Sequence, residues 1–449
     1  MRLRLSTLAL LLWSTGSNAQ QSNYVTPVCP QLDDLAIYND GQFNKFGPLV
    51  QGNDNWFFRQ SEIAPQLELD EQALEMLSQI SLLLKERGTT LIMTPIPHRS
   101  LIYPDKIPKA INFDFKKSRQ QYVDYVRKIR QHNIHVVDFL PMVNTDLPNL
   151  FYQRDNHWLP EGERFGAKVI SDYIVKLPVY SQIKKQQFES SSKGIYGFEM
   201  IEHSILSKLC DSVYPKEYHK IYQTVVVESE SEDSLFGAEQ AQDVVLLGTS
   251  FSTNPRGTRN FSGFLSEALS SNVVNHAISG GGLIASINQY IASDDFKQKP
   301  PKIIIWEFPI RSIRTKHLAQ VLPLLNNASC TMNPLTETLT TLKIGTNLVA
   351  YNGGKNYQQL KQHQVLYEFK FDNPKVSEFV INTRYIERRQ FKAKVGHQRN
   401  QDSNGHFLFD QGYNNSIKNL HFLALEIKVE DPKLVGTKVL TKVCTQESS

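Results

Sequence analysis

An α/β fold with a mostly parallel sheet, followed by a small all-β sandwich, is the architecture that this 449-residue sequence predicts. Three observations lead there. Up to Cys330, apolar β-type runs alternate with amphipathic helical stretches. Beyond Cys330, short β-type runs follow one another between Asn, Gly and Pro, with no helical pattern among them. The length also exceeds the roughly 250–300 residues at which one hydrophobic core stops growing, so two domains are expected. The boundaries read as 1–19 for a leader, 20–330 for the α/β domain and 331–449 for the sandwich.

The elements follow in order. Asp70 to Arg87 has helical periodicity with an acidic start and a basic end, and Gly88 stops it. Thr89 to Pro95 then reads as a buried strand. The pattern recurs with a helix over Phe113–Gln131, a β-rich run over Ile134–Leu140, and a helix over Glu161–Leu177 opened by Pro160. After a polar stretch at Glu228–Ser234, Asp243–Leu247 is a strand that ends in Gly248-Thr249-Ser250. Phe261–Ser271 is a helix, Val273–Ile278 a strand closed by Gly280-Gly281-Gly282, Leu283–Ser293 a helix, and Lys302–Phe308 a very apolar strand. The sandwich runs are Val365–Phe371, Glu378–Ile386, Phe391–Val395, His406–Phe409 and Leu420–Val429.

The N-terminus carries its own message. Arg2 and Arg4, an apolar stretch from Leu5 to Trp13, and the small residues Ser17-Asn18-Ala19 have the three parts of a cleavable secretory signal. The apolar run is well short of the roughly 20 residues that span a bilayer. Export makes the four cysteines candidates for disulfides. Four allow three connectivities. The economical one pairs Cys29 with Cys210 and Cys330 with Cys444, one bond per domain. None is in CxxC spacing, so no metal or redox motif is present and no cofactor is expected.

Charge is uneven. From Thr331 onward 16 Lys+Arg face 11 Asp+Glu, a net of +5, whereas the whole chain is only +4. A basic module suggests a polyanionic partner. Arg384, Arg388, Arg389, Lys392, Lys394 and Arg399 lie within sixteen residues, opposed only by Glu387. Arginine forks match carboxylates, although a solvated basic strand face would look the same. No nucleic-acid module is recognisable, so nucleic acid is not the expected polyanion.

In parallel sheets, functional groups gather at the carboxyl ends of strands. Gly248-Thr249-Ser250-Phe251-Ser252 puts a serine on such a turn, where backbone N–H groups can hold an oxyanion. Asp155-Asn156-His157-Trp158 supplies a histidine that can serve as general base, with a carboxylate to fix its tautomer. Asn275-His276-Ala277-Ile278-Ser279-Gly280 ends a strand on a glycine that a reacting carbonyl could approach closely. Taken singly, each could be a helix cap, a polar turn or a glycine-rich loop.

Together, and in this order, these blocks resemble the SGNH/GDSL hydrolase superfamily, and more closely its alginate O-acetyltransferase branch (AlgX/AlgJ). Further stretches are similar to that branch: Gln51-Gly52-Asn53-Asp54-Asn55-Trp56-Phe57-Phe58 to its entry motif, Asn260-Phe261 downstream of the serine to its nucleophile block, and Pro300 through Ile303-Ile304-Ile305-Trp306-Glu307-Phe308-Pro309 to its last core strand. The resemblance implies Ser250 as nucleophile, His157 as general base and acid, and Asp155 as the orienting carboxylate. Ser250 N–H and Gly280 N–H would hold the oxyanion. The strand ending Glu307-Phe308-Pro309 departs from the superfamily's Gly-x-Asn-Asp, so an oxyanion asparagine is missing there and Asn260 is the expected substitute. The four-cysteine layout and a C-terminal carbohydrate-binding sandwich also fit the branch.

The implied activity is acetyl transfer onto alginate or a similar polyuronic exopolysaccharide in the periplasm, by a chain that is monomeric in isolation. Acetyl groups would arrive through membrane-bound partners of the same acetylation and export complex, since no acetyl-CoA pool is expected outside the cytoplasm. Two alternatives stand beside it: a polysaccharide acetylesterase using the same triad on water, and a non-catalytic polymer-binding scaffold of the export complex.

Overall fold

Val244–Leu247 and Ile303–Pro309 are buried nearly end to end, as strands covered on both faces of a parallel sheet must be. The computed structural model describes residues 29–445 apart from 40–42, 45, 65–66, 144–148, 228–241, 255, 327–329, 331–333, 398 and 400–402. The expected leader at 1–19 and the polar stretch Glu228–Ser234 lie outside the described residues. Among the described residues no helix is long and apolar enough to cross a membrane.

The first strands, β1 (Leu49–Gln51) and β2 (Phe57–Arg59), form a hairpin around Asp54 and Asn55, both at positive φ. The central sheet takes β3 (Thr90–Ile96), β4 (His135–Val136), β7 (Val244–Leu247), β8 (Val273–Asn275) and β9 (Ile303–Pro309) in the order β4-β3-β9-β7-β8. Every pairing in it is parallel. Parallel neighbours require crossovers: α1 (Glu71–Glu86) leads into β3, and helices α2 (Phe115–Gln131), α3 (Pro160–Ile174), α5 (Phe261–Leu269) and α6 (Ala285–Ala292) lie in the connections. The side chains of Asp70 and Asp114 cap α1 and α2, accepting from Ala73 N and Lys117 N.

Two expected strands are shorter in the structure. The run Ile134–Leu140 is a strand only over β4, with Val137 N–H still donating to Met93 O at 2.9 Å, before the Asp138 carboxylate accepts the Leu140 N–H at 2.9 Å and turns the chain into the helical turn Leu140–Val143. Val273–Ile278 ends as a strand at Asn275, whose Oδ1 accepts Ala277 N–H at 3.0 Å. The pairing nonetheless continues through His276 N to Leu246 O and Ile278 N to Gly248 O. That carries the chain past β7 toward Gly280.

Between α3 and β7 lies a ribbon that the periodicity does not reveal. β5 (Phe188–Phe198) and β6 (Glu217–Val226) pair antiparallel, linked through helix α4 (Ile201–Leu209). Both faces are largely exposed, so no apolar alternation marks them. A Cys29–Cys210 disulfide ties the end of α4 to the start of the described chain.

The C-terminal region is two four-stranded antiparallel sheets. One has the order β10-β17-β12-β15, from Thr336–Thr341, Lys438–Thr445, Val365–Phe371 and His406–Asp410. The other has β11-β16-β13-β14, from Gly345–Tyr351, Phe422–Val429, Glu378–Tyr385 and Gln390–Gly396. Their inner faces share a core of aromatic and β-branched side chains, including Phe369, Phe379, Phe407 and Phe422. Cys330 and Cys444 are bonded 114 positions apart, joining the entry of this unit to its last strand.

Candidate active site

Two blocks far apart in the chain meet at the carboxyl ends of the strands. His157 Nε2 lies 2.8 Å from Ser250 Oγ across 93 positions of sequence, and His157 Nδ1 lies 2.5 Å from Asp155 Oδ1. Asp155 is 1% exposed. Its Oδ1 also accepts the His157 backbone N–H at 3.0 Å, and its Oδ2 accepts the Glu202 N–H at 3.3 Å, in the first turn of α4. Burial penalises this carboxylate, but His157, through its charge, its ring and its backbone N–H, and the Arg59 cation outweigh it and hold the group well below the usual range. Burial lowers His157, and the Asp155 charge offsets only part of that. The imidazole is therefore neutral at pH 7 and free to accept a proton at Nε2.

The local scaffold explains the placement. Trp158 is fully buried, donates Nε1–H to Phe251 O at 2.8 Å, and presses its ring on Gly166 of α3, where a Cβ would come within 2.7 Å. The histidine block and the serine turn are thus fastened to each other by the residue after His157. The β1–β2 hairpin braces the same block: Phe57 N donates to Gln153 O at 2.9 Å. The buried Arg99 guanidinium reaches Tyr152 O at 2.8 Å, Phe57 O at 2.7 Å and Glu62 at 2.6 Å. Arg59, at the end of β2, is paired with Glu202 and donates to Asn156 Oδ1 at 3.3 Å.

The serine turn hangs on Glu307, which is fully buried in β9. Its Oε2 accepts Thr249 N–H at 2.9 Å and Ser252 Oγ–H at 2.6 Å, and its Oε1 accepts Thr249 Oγ1–H at 3.0 Å. Gly248 makes room for it, since a Cβ there would stand 2.6 Å from Oε2. Burial raises this carboxyl against the pull of those donors. Asn275 Nδ2 holds Ser252 O at 2.7 Å, and Arg259 donates to Ser250 O. Glu307, Arg59, Arg99 and Arg259 escape the motif reading. The one available signal was an acidic residue inside an otherwise apolar strand, Ile303-Ile304-Ile305-Trp306-Glu307-Phe308.

The backbone N–H groups of Ser250 and Gly280 have no acceptor among the described residues. The Ile278–Gly248 bond sets the glycine turn alongside the serine turn, and Gly280 is left-handed at φ 71°. Asn260 is placed otherwise than expected. It stands at the N-terminus of α5, and its Nδ2 donates to Thr224 Oγ1 of β6 at 2.8 Å while its N–H goes to Glu163. These bonds fasten the start of α5 to the ribbon and to α3 instead of aiming the amide at Ser250.

Beside the triad opens a cleft of about 460 Å³, lined by Arg59, His98, Asn156, Phe251, Arg311 and Ser312 among others. Of its arginines, Arg59 is paired with Glu202 and Arg99 with Glu62, while Arg311 has no carboxylate partner among the described residues and can meet an anionic ligand. The six clustered basic residues at 384–399 divide among three places. Arg384, Lys392 and Lys394 are exposed on the β13–β14 hairpin, with Arg384 bonded to Glu426 at 2.6 Å and Lys394 to Glu378 at 2.9 Å. Arg388 and Arg389 form the hairpin tip. Arg399 reaches the α/β domain, where a Cβ on Gly280 would stand 3.4 Å from its Nε. Among the described residues no cluster of His, Cys, Asp and Glu could hold a metal ion.

Comparison with known proteins points one way. The chain is 29% identical to "Alginate biosynthesis protein AlgX" of Pseudomonas syringae pv. tomato over 98% of its own length and 95% of that protein. It is 29% identical to "Probable alginate O-acetylase AlgJ" of Pseudomonas fluorescens, over 62% of this chain and 70% of that one. The solved structure of Pseudomonas aeruginosa AlgX superposes with a TM-score of 0.80 at 26% identity, over 94% of this chain and all of that one. Residues 329–449 match the family described as a C-terminal carbohydrate-binding module. Residues 49–310, more than half of the chain, match the family described as the SGNH hydrolase-like domain of acetyltransferase AlgX, and the chain belongs to that family.

Proposed function

We propose that this protein is a periplasmic O-acetyltransferase acting on alginate or a similar polyuronic exopolysaccharide, with Ser250 as the acyl carrier. The observation that carries this reading is the unbroken hydrogen-bond chain Asp155–His157–Ser250 at a strand-end turn. The names of the relatives, AlgX of alginate biosynthesis and AlgJ as a probable alginate O-acetylase, support the substrate class.

The geometry supports the following sequence of steps. As Ser250 Oγ attacks the carbonyl of an acetyl ester, its proton passes to His157 Nε2, and Asp155 steadies the imidazolium. The oxyanion of the tetrahedral intermediate is held by the Ser250 and Gly280 N–H groups. Collapse breaks the ester bond, His157 returns the proton to the departing alkoxide, and acetyl-Ser250 remains. In the second half, a sugar hydroxyl gives its proton to His157 and attacks acetyl-Ser250. Collapse then frees Ser250 Oγ, which takes the proton back. The acceptor sugar competes with water by being held in place. Arg311 in the cleft supplies a cation for uronate carboxylates, and the sandwich raises the local concentration of polymer. The donor-side partners are membrane-bound proteins of the acetylation and export complex, and the leader at residues 1–19 is removed on export.

The test is to incubate the purified chain with oligomannuronate and a chromogenic acetyl ester and weigh the products. Acetylated oligomannuronate that vanishes with Ser250→Ala is the expected result. Ester hydrolysis without any acetylated sugar overturns the transfer reading in favour of an esterase.

A further inference from the structure

Asp155 is held from a side that its own loop does not supply. Helix α4 begins beside it, and the Glu202 N–H in the first turn donates to Asp155 Oδ2 at 3.3 Å. The amino end of a helix carries partial positive charge, which suits a carboxylate there. The Glu202 side chain holds Arg59: its Oε1 accepts Arg59 Nε–H at 2.7 Å and an Nη2–H as well. Arg59 Nη2 in turn reaches Asn156 Oδ1 at 3.3 Å, on the residue between Asp155 and His157. One buried residue thus fixes two points of the catalytic loop, through its backbone and through Arg59.

The placement of α4 depends on its anchors. Its nine residues fall short of the roughly 12–15 at which an isolated helix becomes even marginally stable. It links β5 and β6, whose faces are largely exposed. Leu206 packs in a small cluster with Cys29, Leu49, Phe57 and Tyr214, and His203 Nε2 lies 3.0 Å from Tyr214 O. The covalent anchor is Cys210, directly after the last helical residue, bonded to Cys29 across 181 positions. With the disulfide at one end and Asp155 at the other, α4 is a strut that carries a constraint from the start of the described chain to the triad.

We propose that Glu202 is a positioning residue for the triad and that the Cys29–Cys210 bond holds it in place, so that the chain gains full activity only once that bond has formed. The proposal rests on Asp155, His157 and Ser250 being the working triad. Bond formation is a thiol–disulfide exchange: the two thiols give up two electrons and two protons to the disulfide of an exchange partner, which leaves as a dithiol. Before that exchange, in a reducing compartment, the strut lacks its anchor and Asp155 is held by its own loop alone. The sandwich disulfide, which packs with Leu366 and Leu408, has no such role and serves as the control.

The test uses the full mature chain and a chromogenic acetyl ester, with kcat, KM and the low-field proton NMR signal of the Asp155–His157 hydrogen bond as readouts. Both Arg59 bonds end on Glu202 Oε1, so the amide oxygen of Glu202→Gln can accept them, whereas Glu202→Ala offers nothing. Glu202→Ala lowers kcat about 10–10²-fold at nearly constant KM and moves the proton signal, as a misaligned triad requires. Glu202→Gln stays within about threefold of the parent. Cys29→Ser with Cys210→Ser lowers kcat about tenfold at constant KM, while Cys330→Ser with Cys444→Ser leaves it at the parent value. Because both changes act along one path, Glu202→Ala in the chain lacking the Cys29–Cys210 bond costs no more than about threefold further. Reducing the parent with dithiothreitol and reoxidising it lowers and restores kcat in step with that bond, a readout that serves if Glu202→Ala folds poorly. Parent kcat in Glu202→Ala, equal losses in Glu202→Ala and Glu202→Gln, losses that simply add, or full activity without the Cys29–Cys210 bond overturns the proposal. Failure of the triad reading is told apart in the parent, which then forms no acetyl-Ser250 while the proton signal still answers to Glu202→Ala.

Discussion

Asp155, His157 and Ser250 come from blocks 93 positions apart and form one hydrogen-bonded line, whereas six basic residues packed within sixteen positions end up in three places. The contrast is one of constraint. The triad groups sit at the ends of elements fixed by the core: Trp158 is bolted to Phe251, Glu307 to the serine turn, and Arg99 to the segment before Asp155. Arg384, Lys392 and Lys394 share one face of the β13–β14 hairpin, Arg388 and Arg389 turn its tip, and Arg399 lies beyond the end of β14. Two of them are already neutralised by Glu426 and Glu378, and one is carried away to Gly280. Proximity along the chain predicts a shared site poorly; attachment to a common rigid frame predicts it well.

The comparison can be broken most severely at the triad. Ser250→Ala or Asp155→Asn should cost about 10⁴-fold or more in acetyl transfer with the circular dichroism spectrum unchanged, since such triads act as a unit. A loss under tenfold in either would mean that the hydrogen-bonded line is not the working one. The next largest effect falls on the sandwich frame. Replacing Cys330 and Cys444 by serine releases a 114-position loop, at a cost of about 2–5 kcal/mol in unfolding measurements. The small-ester activity of the α/β domain should persist at temperatures where the sandwich has melted.

Glu307→Gln sharpens the distinction between chemistry and frame. The amide keeps one acceptor but places a donor opposite Thr249 or Ser252, loosening the serine turn. A fall of about 10–10²-fold in kcat with KM nearly unchanged is expected of a misplaced nucleophile. Charge reversal of Arg388 and Arg389 acts at the hairpin tip. It should weaken polymer binding severalfold, since exposed pairs are worth about 1 kcal/mol or less each, and leave turnover of a small acetyl ester intact. Parallel loss of both would place catalysis and polymer binding in one site.

The smallest effect is on pH. Catalysis needs neutral His157, and burial lowers that group from its ordinary value of about 6.5. Rate therefore rises with pH through a midpoint below about 6.5 and is flat above it. An acid limb centred above that value would mean that the Asp155 charge outweighs burial.

Much of this was legible in the amino-acid order. Strand–turn blocks announce themselves because a buried parallel strand must be apolar throughout and its functional residues must follow its carboxyl end. Val365–Phe371 is found where its apolar run ends. The β5–β6 ribbon was hidden because its sides are both largely in solvent and no period of two survives. Glu307 stood out as an acidic residue in an apolar strand, but its role was hidden because a sequence does not say whether a carboxylate in a strand faces a turn. Asn260 was expected at the oxyanion because it follows the serine block, yet a residue at a helix start is claimed by whatever element lies opposite, here Thr224. The leader and the 228–234 stretch remain statements of sequence, outside the described residues.

The most direct test of the account is to trap the acyl-enzyme. The chain is mixed with a chromogenic acetyl ester in the absence of any sugar, quenched in acid, digested and read by mass spectrometry. The account predicts one added acetyl group, on the peptide containing Ser250, that disappears on chasing with oligomannuronate and is absent from Ser250→Ala. An acetyl group that stays on the Ser250→Ala protein, or that oligomannuronate cannot discharge, would contradict it.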